Sequence, residues 1–204
     1  SKQQLLLAHK SHCYQTTSDI KKLLSVYGFY NVWQNQETVN PELFLYNFEI
    51  RLKDCEQQTW RTEIAASPKL YYYSMYKNNF EIEPYLLTNM PRKVKKQYAR
   101  FRLANHNLQI EKGRHENLCR EDRLCIFCNR ISNSKVIECE YHFCMECPLY
   151  DDIRKECPNV SFDKNLFNFN RILSNKDHRF INELAWYIWK CFTARTKFID
   201  EKLI

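Results

Sequence analysis

The sequence predicts a mainly α-helical chain with a cysteine-rich knuckle set into it, and three observations carry that expectation. Only two glycines and six prolines punctuate 204 residues, 44% of them apolar and 15% aromatic. This composition is neither disordered nor collagen-like and suits helices joined by short connections. Apolar residues recur at near-helical spacing in several stretches bounded by capping residues. Five of the ten cysteines fall between Cys125 and Pro148, with one histidine among them. The length allows one domain or two small ones.

In chain order, Thr16-Thr17-Ser18-Asp19 supplies N-cap residues, and IKKLLSVYG reads as a short helix closed by Gly28. Phe29, Tyr30, Val32 and Trp33 form an apolar connector expected to be buried. Asn40-Pro41-Glu42 starts a second helix, with a cap, a proline in the first turn and an acid beside it. Its apolar positions, Leu43, Phe44, Phe48, Leu52, Cys55, Trp60 and Ile64, run to Ser67-Pro68 and place Cys55 in the core rather than on a metal. Ser67-Pro68 caps a short aromatic helix, KLYYYSMYK. Its tyrosines either wedge helices together, the favoured reading, or stack nucleobases. Towards the C-terminus, LFNFNRILSNKD leads into a last helix, with Ser174 and Asp177 approximating a capping box. Phe180, Ile181, Leu184, Ala185, Ile188 and Phe192, widened by Trp186 and Trp189, read as its core-packing face.

The formal charge is +7, which suits an acidic partner. Residues 92–123 hold ten Lys or Arg against four Asp or Glu, so an excess of six lies in this one segment. Read as a basic helix, it puts Val94, Tyr98, Phe101 and Ala104 on one face, with Arg92, Lys93, Lys95, Lys96, Arg100 and Arg102 around the rest. Six cations in eleven residues without an acid exceed what solubility needs. These residues, with Lys112 and Arg114, are expected to lie along a phosphate backbone of RNA or DNA. Such contacts position a protein without reading sequence. For His106 and His115 a phosphate contact or no role is expected ahead of metal.

No apolar run approaches the roughly 20 residues of a membrane span, and Leu5 to Ala8 in SKQQLLLAHK is too short for a secretory leader. The chain is therefore expected inside the cell, without a membrane partner; the nucleus is the compartment expected for a nucleic-acid partner. In a reducing compartment its cysteines bind metal more readily than they form disulfides. The start without methionine suggests a piece of a longer protein.

Cys125-x2-Cys128 is followed after thirteen residues by His142, and then by Cys147 in an H-x4-C step. A C-x2-C turn points both sulfurs inward; an imidazole and a further thiolate complete a tetrahedral Cys3His site, closed to water and therefore structural. Zinc is the expected ion for thiolates plus imidazole without redox demands. Cys139, Cys144 and Cys157 are supernumerary, and Cys144 or Cys119 could replace the fourth ligand. A thioredoxin-like redox site wants a βαβ context that is missing. The fold class is thus mainly α, small helical domains with an embedded Cys3His zinc-binding knuckle. The segments are 1–90, an N-terminal helical region; 91–157, a basic helix plus knuckle; and 158–204, a C-terminal amphipathic helical region.

The order RFRLANHNLQIEKGRHENLCREDRLCIFC…ECEYHFCMECPLYDDIR resembles the C-terminal region of animal non-LTR (LINE-like) retrotransposon reverse transcriptases. The likeness extends upstream through LLSVYGFYNVWQNQ and RLKDCEQQTWRTEI and downstream to the last helix. It implies a module behind a polymerase core of the same polypeptide, with a zinc knuckle assisting the binding of template RNA or target DNA. Matching positions give Cys125, Cys128, His142 and Cys147 as ligands. Cys139 and Cys144 depart from the acidic and apolar residues usual there. No Y-x-D-D-like stretch and no clustered carboxylates for two-metal chemistry occur in the chain, so no catalytic residue is expected. The alternative is a protein-interaction scaffold whose zinc is purely structural and whose aromatic surfaces dock on the polymerase core.

Overall fold

The computed structural model describes residues 14–35 and 40–202; the opening SKQQLLLAHK, with its patch at Leu5 to Ala8, lies outside them. Among the described residues the fold is mainly α and contains no strand, only an isolated antiparallel bridge between Leu124 and Ile137. The chain divides into two compact units, 1–62 and 63–204. The second takes in the end of the 1–90 segment together with all of 91–157 and 158–204.

The first unit holds α1 (Tyr14–Val26), α2 (Tyr30–Gln34) and most of α3 (Pro41–Ala66). Because α1 is already helical at Tyr14, Thr16 to Asp19 lie inside it rather than capping it. Gly28 does close it, at φ +84, a conformation that would strain any side chain. The Phe29 N–H then reaches back to Leu24 O at 2.7 Å. The connector expected to be buried folds as α2 and leaves Tyr30 exposed. Phe29 packs edge-on against Phe44 and Phe48, with ring centroids 5.6 and 5.4 Å away. Asn40 caps α3 as expected, its Oδ1 accepting from the N–H groups of Glu42 and Leu43 at 3.0 and 3.1 Å. Leu43 falls off the expected stripe and is exposed, while Cys55 is half-buried.

The second unit is built around one long helix. After a 3-10 turn at Pro68–Leu70 come α4 (Tyr71–Tyr76), α5 (Arg92–Arg102), α6 (Gln109–His115) and α7 (Ile126–Ser132). A π-helical turn at His142–Glu146 follows, then α8 (Asp151–Lys155), α9 (Leu166–Ser174) and α10 (His178–Lys202). The aromatic helix does wedge: Tyr73 donates to Glu83 Oε1 at 2.8 Å and Tyr76 to Arg102 O at 3.0 Å, both side chains buried. Ser67 makes no side-chain cap; its carbonyl accepts from the Leu70 N–H instead.

The basic stretch 92–123 is two α-helices rather than one. Ala104 adopts φ +48, and the Asn105 N–H closes on Arg100 O at 2.8 Å, ending α5. The expected apolar face survives this break, with Val94, Tyr98, Phe101 and Ala104 all at most 4% exposed. Each large side chain so buried contributes about 1.5–3 kcal/mol. α5 packs on α10, and α9 packs on α4. LFNFNRILS is a helix in its own right, capped by Asn165 Oδ1, which accepts from the Asn168 N–H at 2.7 Å. Ser174 ends it, and Asp177 alone caps α10, accepting from the Phe180 N–H at 2.8 Å. The predicted face of α10 is buried except at Phe180, Trp186 and Trp189, which are half-buried, and Tyr187, Cys191 and Arg195 join it. Phe192 meets Phe143 at 4.5 Å and Phe101 at 6.4 Å, linking α10, the π-helical turn and α5.

Candidate metal centre

The site begins with a backbone reversal. Cys125 N–H donates to Val136 O at 2.7 Å, and Glu138 N–H donates to Arg123 O at 2.9 Å, folding the 133–138 segment over the start of α7. Asn133 turns the chain at the end of α7 with φ +48, a position that suits asparagine. Cys125 stands at the N-cap of α7 and Cys128 in its first turn. His142 opens the π-helical turn and Cys147 closes it, the Cys147 N–H donating to His142 O at 2.8 Å.

These four residues converge. Their ligand atoms all lie within 4.8 Å of one another. Cys147 Sγ is 3.8 Å from Cys125 Sγ and 3.9 Å from Cys128 Sγ, and His142 Nε2 is 3.4 Å from Cys128 Sγ. All four side chains are at most 4% exposed. The sulfurs stand well beyond the roughly 2.05 Å of a disulfide. The arrangement can hold a metal ion.

The electrostatics show why. A hydrogen bond from Cys147 holds the Cys125 thiol down at about 4, helped by His142 and the Cys128 N–H. Burial, with the Cys125 charge beside it, pushes Cys128 up to about 11. The hydrogen bond to Cys125 also raises Cys147, with burial adding to it. Burial alone would lower His142, but bonding to Cys125 and Glu146 raises it. Four donors pressed together share too little positive charge, so a cation among them would relieve the mutual penalty.

A supporting layer fixes the donors. His142 Nδ1 faces Glu146 Oε2 at 3.3 Å, leaving Nε2 for the cage. Its backbone N–H points at Cys139 Sγ, 3.5 Å away. Arg154 from α8 donates Nη2–H to Cys147 O at 2.8 Å and Nε–H to Cys144 O at 3.3 Å. Tyr187 from α10 donates to that same Cys144 carbonyl at 2.6 Å. Buried Glu138 and Arg195 form a two-pronged ion pair, with both contacts at 2.7 Å. Spacing reveals none of these partners except Glu146, one helical turn beyond His142.

The rival ligands fall outside the cluster. Cys144 is wholly buried on the core side of the π-helical turn, and burial raises its thiol to about 12. Cys119 is exposed and Cys157 donates to Ile153 O; neither joins the cluster.

The cationic residues separate into two kinds. Arg92, Lys93, Lys96 and Arg100 are exposed on α5. Lys93 Nζ stands 4.7 Å over the Trp189 ring, and Arg100 Nε–H donates to Asn105 O at 3.0 Å. Lys95 turns back to donate to Leu86 O and Thr88 O at 3.0 and 2.8 Å. Arg102, expected in the phosphate row, is only 7% exposed. Its guanidinium donates to Leu173 O at 2.6 Å, pairs with Glu83 at 2.9 Å and stacks on Tyr76 at 4.6 Å. It satisfies the carbonyl end of α9 and presents nothing to a phosphate. Lys112 is exposed, 3.8 Å from Glu116, while half-buried Arg114 pairs with Glu111 at 3.0 Å. His106 is a core histidine, its Nε2 3.0 Å from Glu140 Oε1 and its ring beside Phe101 and Phe192. No helix among the described residues is long and apolar enough to cross a membrane. No family model, curated protein or solved structure matches this chain.

Proposed function

We propose that this chain is a nucleic-acid-binding module stapled by a zinc ion. In this reading it belongs to a retrotransposon reverse-transcriptase-like protein and helps hold template RNA or target DNA in the nucleus. The observation that carries the reading is the exposed side of α5. Arg92, Lys93, Lys96 and Arg100 stand in solvent on a helix without a single acid, while Val94, Tyr98 and Phe101 anchor its other face at 0–2% exposure. A helix so fixed lays a row of charges along phosphates without reorganising.

The zinc assignment rests on the cage edges. Two thiolates each about 2.3 Å from a tetrahedral zinc stand about 3.8 Å apart, and the observed separations are 3.8 and 3.9 Å. A bound zinc would take Cys125, Cys128, His142 and Cys147 and act as a four-way cross-link with no open position for water.

The test is fluorescence anisotropy of labelled RNA and DNA at graded salt. Affinity is expected to fall linearly on a log–log scale, with a slope of about 0.7–0.9 per phosphate contacted. The Arg92→Glu, Lys96→Glu, Arg100→Glu triple variant should lose most of both affinity and slope. Unchanged binding by that variant, with its circular dichroism intact, would remove the reading. Exposed Ile82, Leu86 and Leu87 ahead of α5 favour a second reading, docking on an upstream polymerase core. An apolar dock would leave the chain without nucleic-acid affinity at any salt concentration.

A further inference from the structure

Resting on the nucleic-acid reading, we propose a second contact site in the same unit: a cleft that takes an unpaired base of a single-stranded nucleic acid. The base stacks on Tyr71, and its flanking phosphates lie against Lys69 and Arg120. The cleft has a volume of about 620 Å³ and is bordered by the start of α4, by α6 and by the 120–123 turn. That size suits a ligand with the bulk of a nucleotide.

Tyr71 is the first reason. Its neighbours on α4, Tyr73 and Tyr76, are buried and hydrogen-bonded, but Tyr71 is 52% exposed. It is not loose, because its ring stands edge-on to Tyr72 at 5.1 Å. Tyr72 is in turn held by Phe169 at 5.4 Å and by its hydroxyl against Cys139 Sγ at 3.3 Å. An open aromatic face with a fixed backing stacks a base at small entropic cost.

The charges around the cleft are the second. Lys69, Arg114, Arg120 and Arg123 line it against two acids, Glu111 and Glu140. Both acids already face partners inside the fold, Glu111 at Arg114 and Glu140 at His106, each 3.0 Å away. Arg123 is clamped to Leu118 O and Ile110 O, so its charge stays where it is. The rim therefore remains net positive beside an exposed ring. Paired bases in a duplex cannot enter such a cleft, whereas splayed bases of a single strand can. The exposed row on α5 makes no such distinction.

The experiment uses the full 204-residue chain, with fluorescein-labelled single-stranded RNA and the same sequence as a duplex. Tyr71→Ala is expected to weaken single-strand binding about tenfold and leave duplex binding unchanged, with Tyr71→Phe restoring the loss. Arg120→Glu should lower the single-strand salt slope by about 0.7. RNA carrying 5-iodouridine should photocrosslink to the peptide holding Tyr71, a readout that a merely structural tyrosine would not give. If the wild-type chain binds single strands and neither variant changes that, with no crosslink at Tyr71, the cleft is wrong and the α5 reading stands. If the wild-type chain binds no nucleic acid at low salt, both fail together.

Discussion

Replacing Cys147 with serine tests the cage where it is most sensitive. Cys147 Sγ is the sulfur that lies within 4 Å of both knuckle thiols, and its side chain is 1% exposed. Serine removes the soft fourth donor while keeping the shape. Structural zinc in small peptides is worth about 10–16 kcal/mol, against about 5–15 kcal/mol for the whole stability of a domain. Losing that contribution is therefore enough to unfold the second unit. Cys144→Ala is the matched control, removing a sulfur three positions away that is wholly buried but outside the cluster. It should cost about 1 kcal/mol of packing and keep the metal. The assay is metal content by mass spectrometry, followed by urea unfolding with and without chelator. Wild type and Cys144→Ala should each carry one zinc per chain and be destabilised by chelator, and Cys147→Ser should show neither property. Metal retained by Cys147→Ser, or lost from Cys144→Ala, would refute the assignment of the fourth ligand.

Arg195→Met leaves the Glu138 carboxylate, 3% exposed, without its counter-charge and with the Gln109 N–H as its remaining partner; urea unfolding should register a loss of about 3–5 kcal/mol, and a loss under about 1 kcal/mol would mean that water reaches the pair. Gly113→Ala puts a Cβ 2.6 Å from Arg123 Cγ, in a side chain whose far end is bound to two carbonyls. Overpacking should cost about 1–3 kcal/mol and lower the melting temperature, and an unchanged value would show that Arg123 swings aside. Arg154→Met removes the donors to Cys144 O and Cys147 O, and chelator competition should show metal affinity lowered about 10–100-fold. Unchanged affinity would confine Arg154 to holding α8.

Much of this architecture was legible where the signal is local. Gly28, Asn40 and the apolar faces of α5 and α10 act through neighbours a few residues away, and the sequence displays those neighbours directly. Within the cluster, Cys125 and Cys128 were legible for the same reason, since a C-x2-C turn is its own geometry, whereas His142 and Cys147 reach it through the π-helical turn. The break at Ala104 was not, because nothing in RLANHN forbids a helix; the turn follows from Leu108 and Ile110, both at most 7% exposed, being drawn into the core. Arg102 misled for the opposite reason. On the helix it is one more cation, and only the fold brings Glu83, Tyr76 and the end of α9 around it. Cys144 was ambiguous in spacing and is decided by direction, since the π-helical turn carries it into the core and His142 and Cys147 into the cage.

The cage and the cationic row are mechanically one object. Phe143 follows His142 directly, is 0% exposed, and its ring touches Phe192 of α10 at 4.5 Å and Phe101 of α5 at 5.7 Å. Fixing His142 therefore fixes the ring against which the buried face of α5 rests. On the far side, Arg154 and Tyr187 tie the carbonyls of Cys144 and Cys147 to α8 and α10. An empty cage would lack no lysine or arginine, yet the turn that seats Phe143 would be held less firmly. Chelation should accordingly weaken RNA binding and flatten its salt dependence, because a row of charges that no longer holds its line engages fewer phosphates at once. Zinc added back should restore both. If chelated protein that has demonstrably lost its metal binds RNA with the same affinity and slope, the coupling through Phe143 is wrong, and α5 stands on its packing with α10 alone.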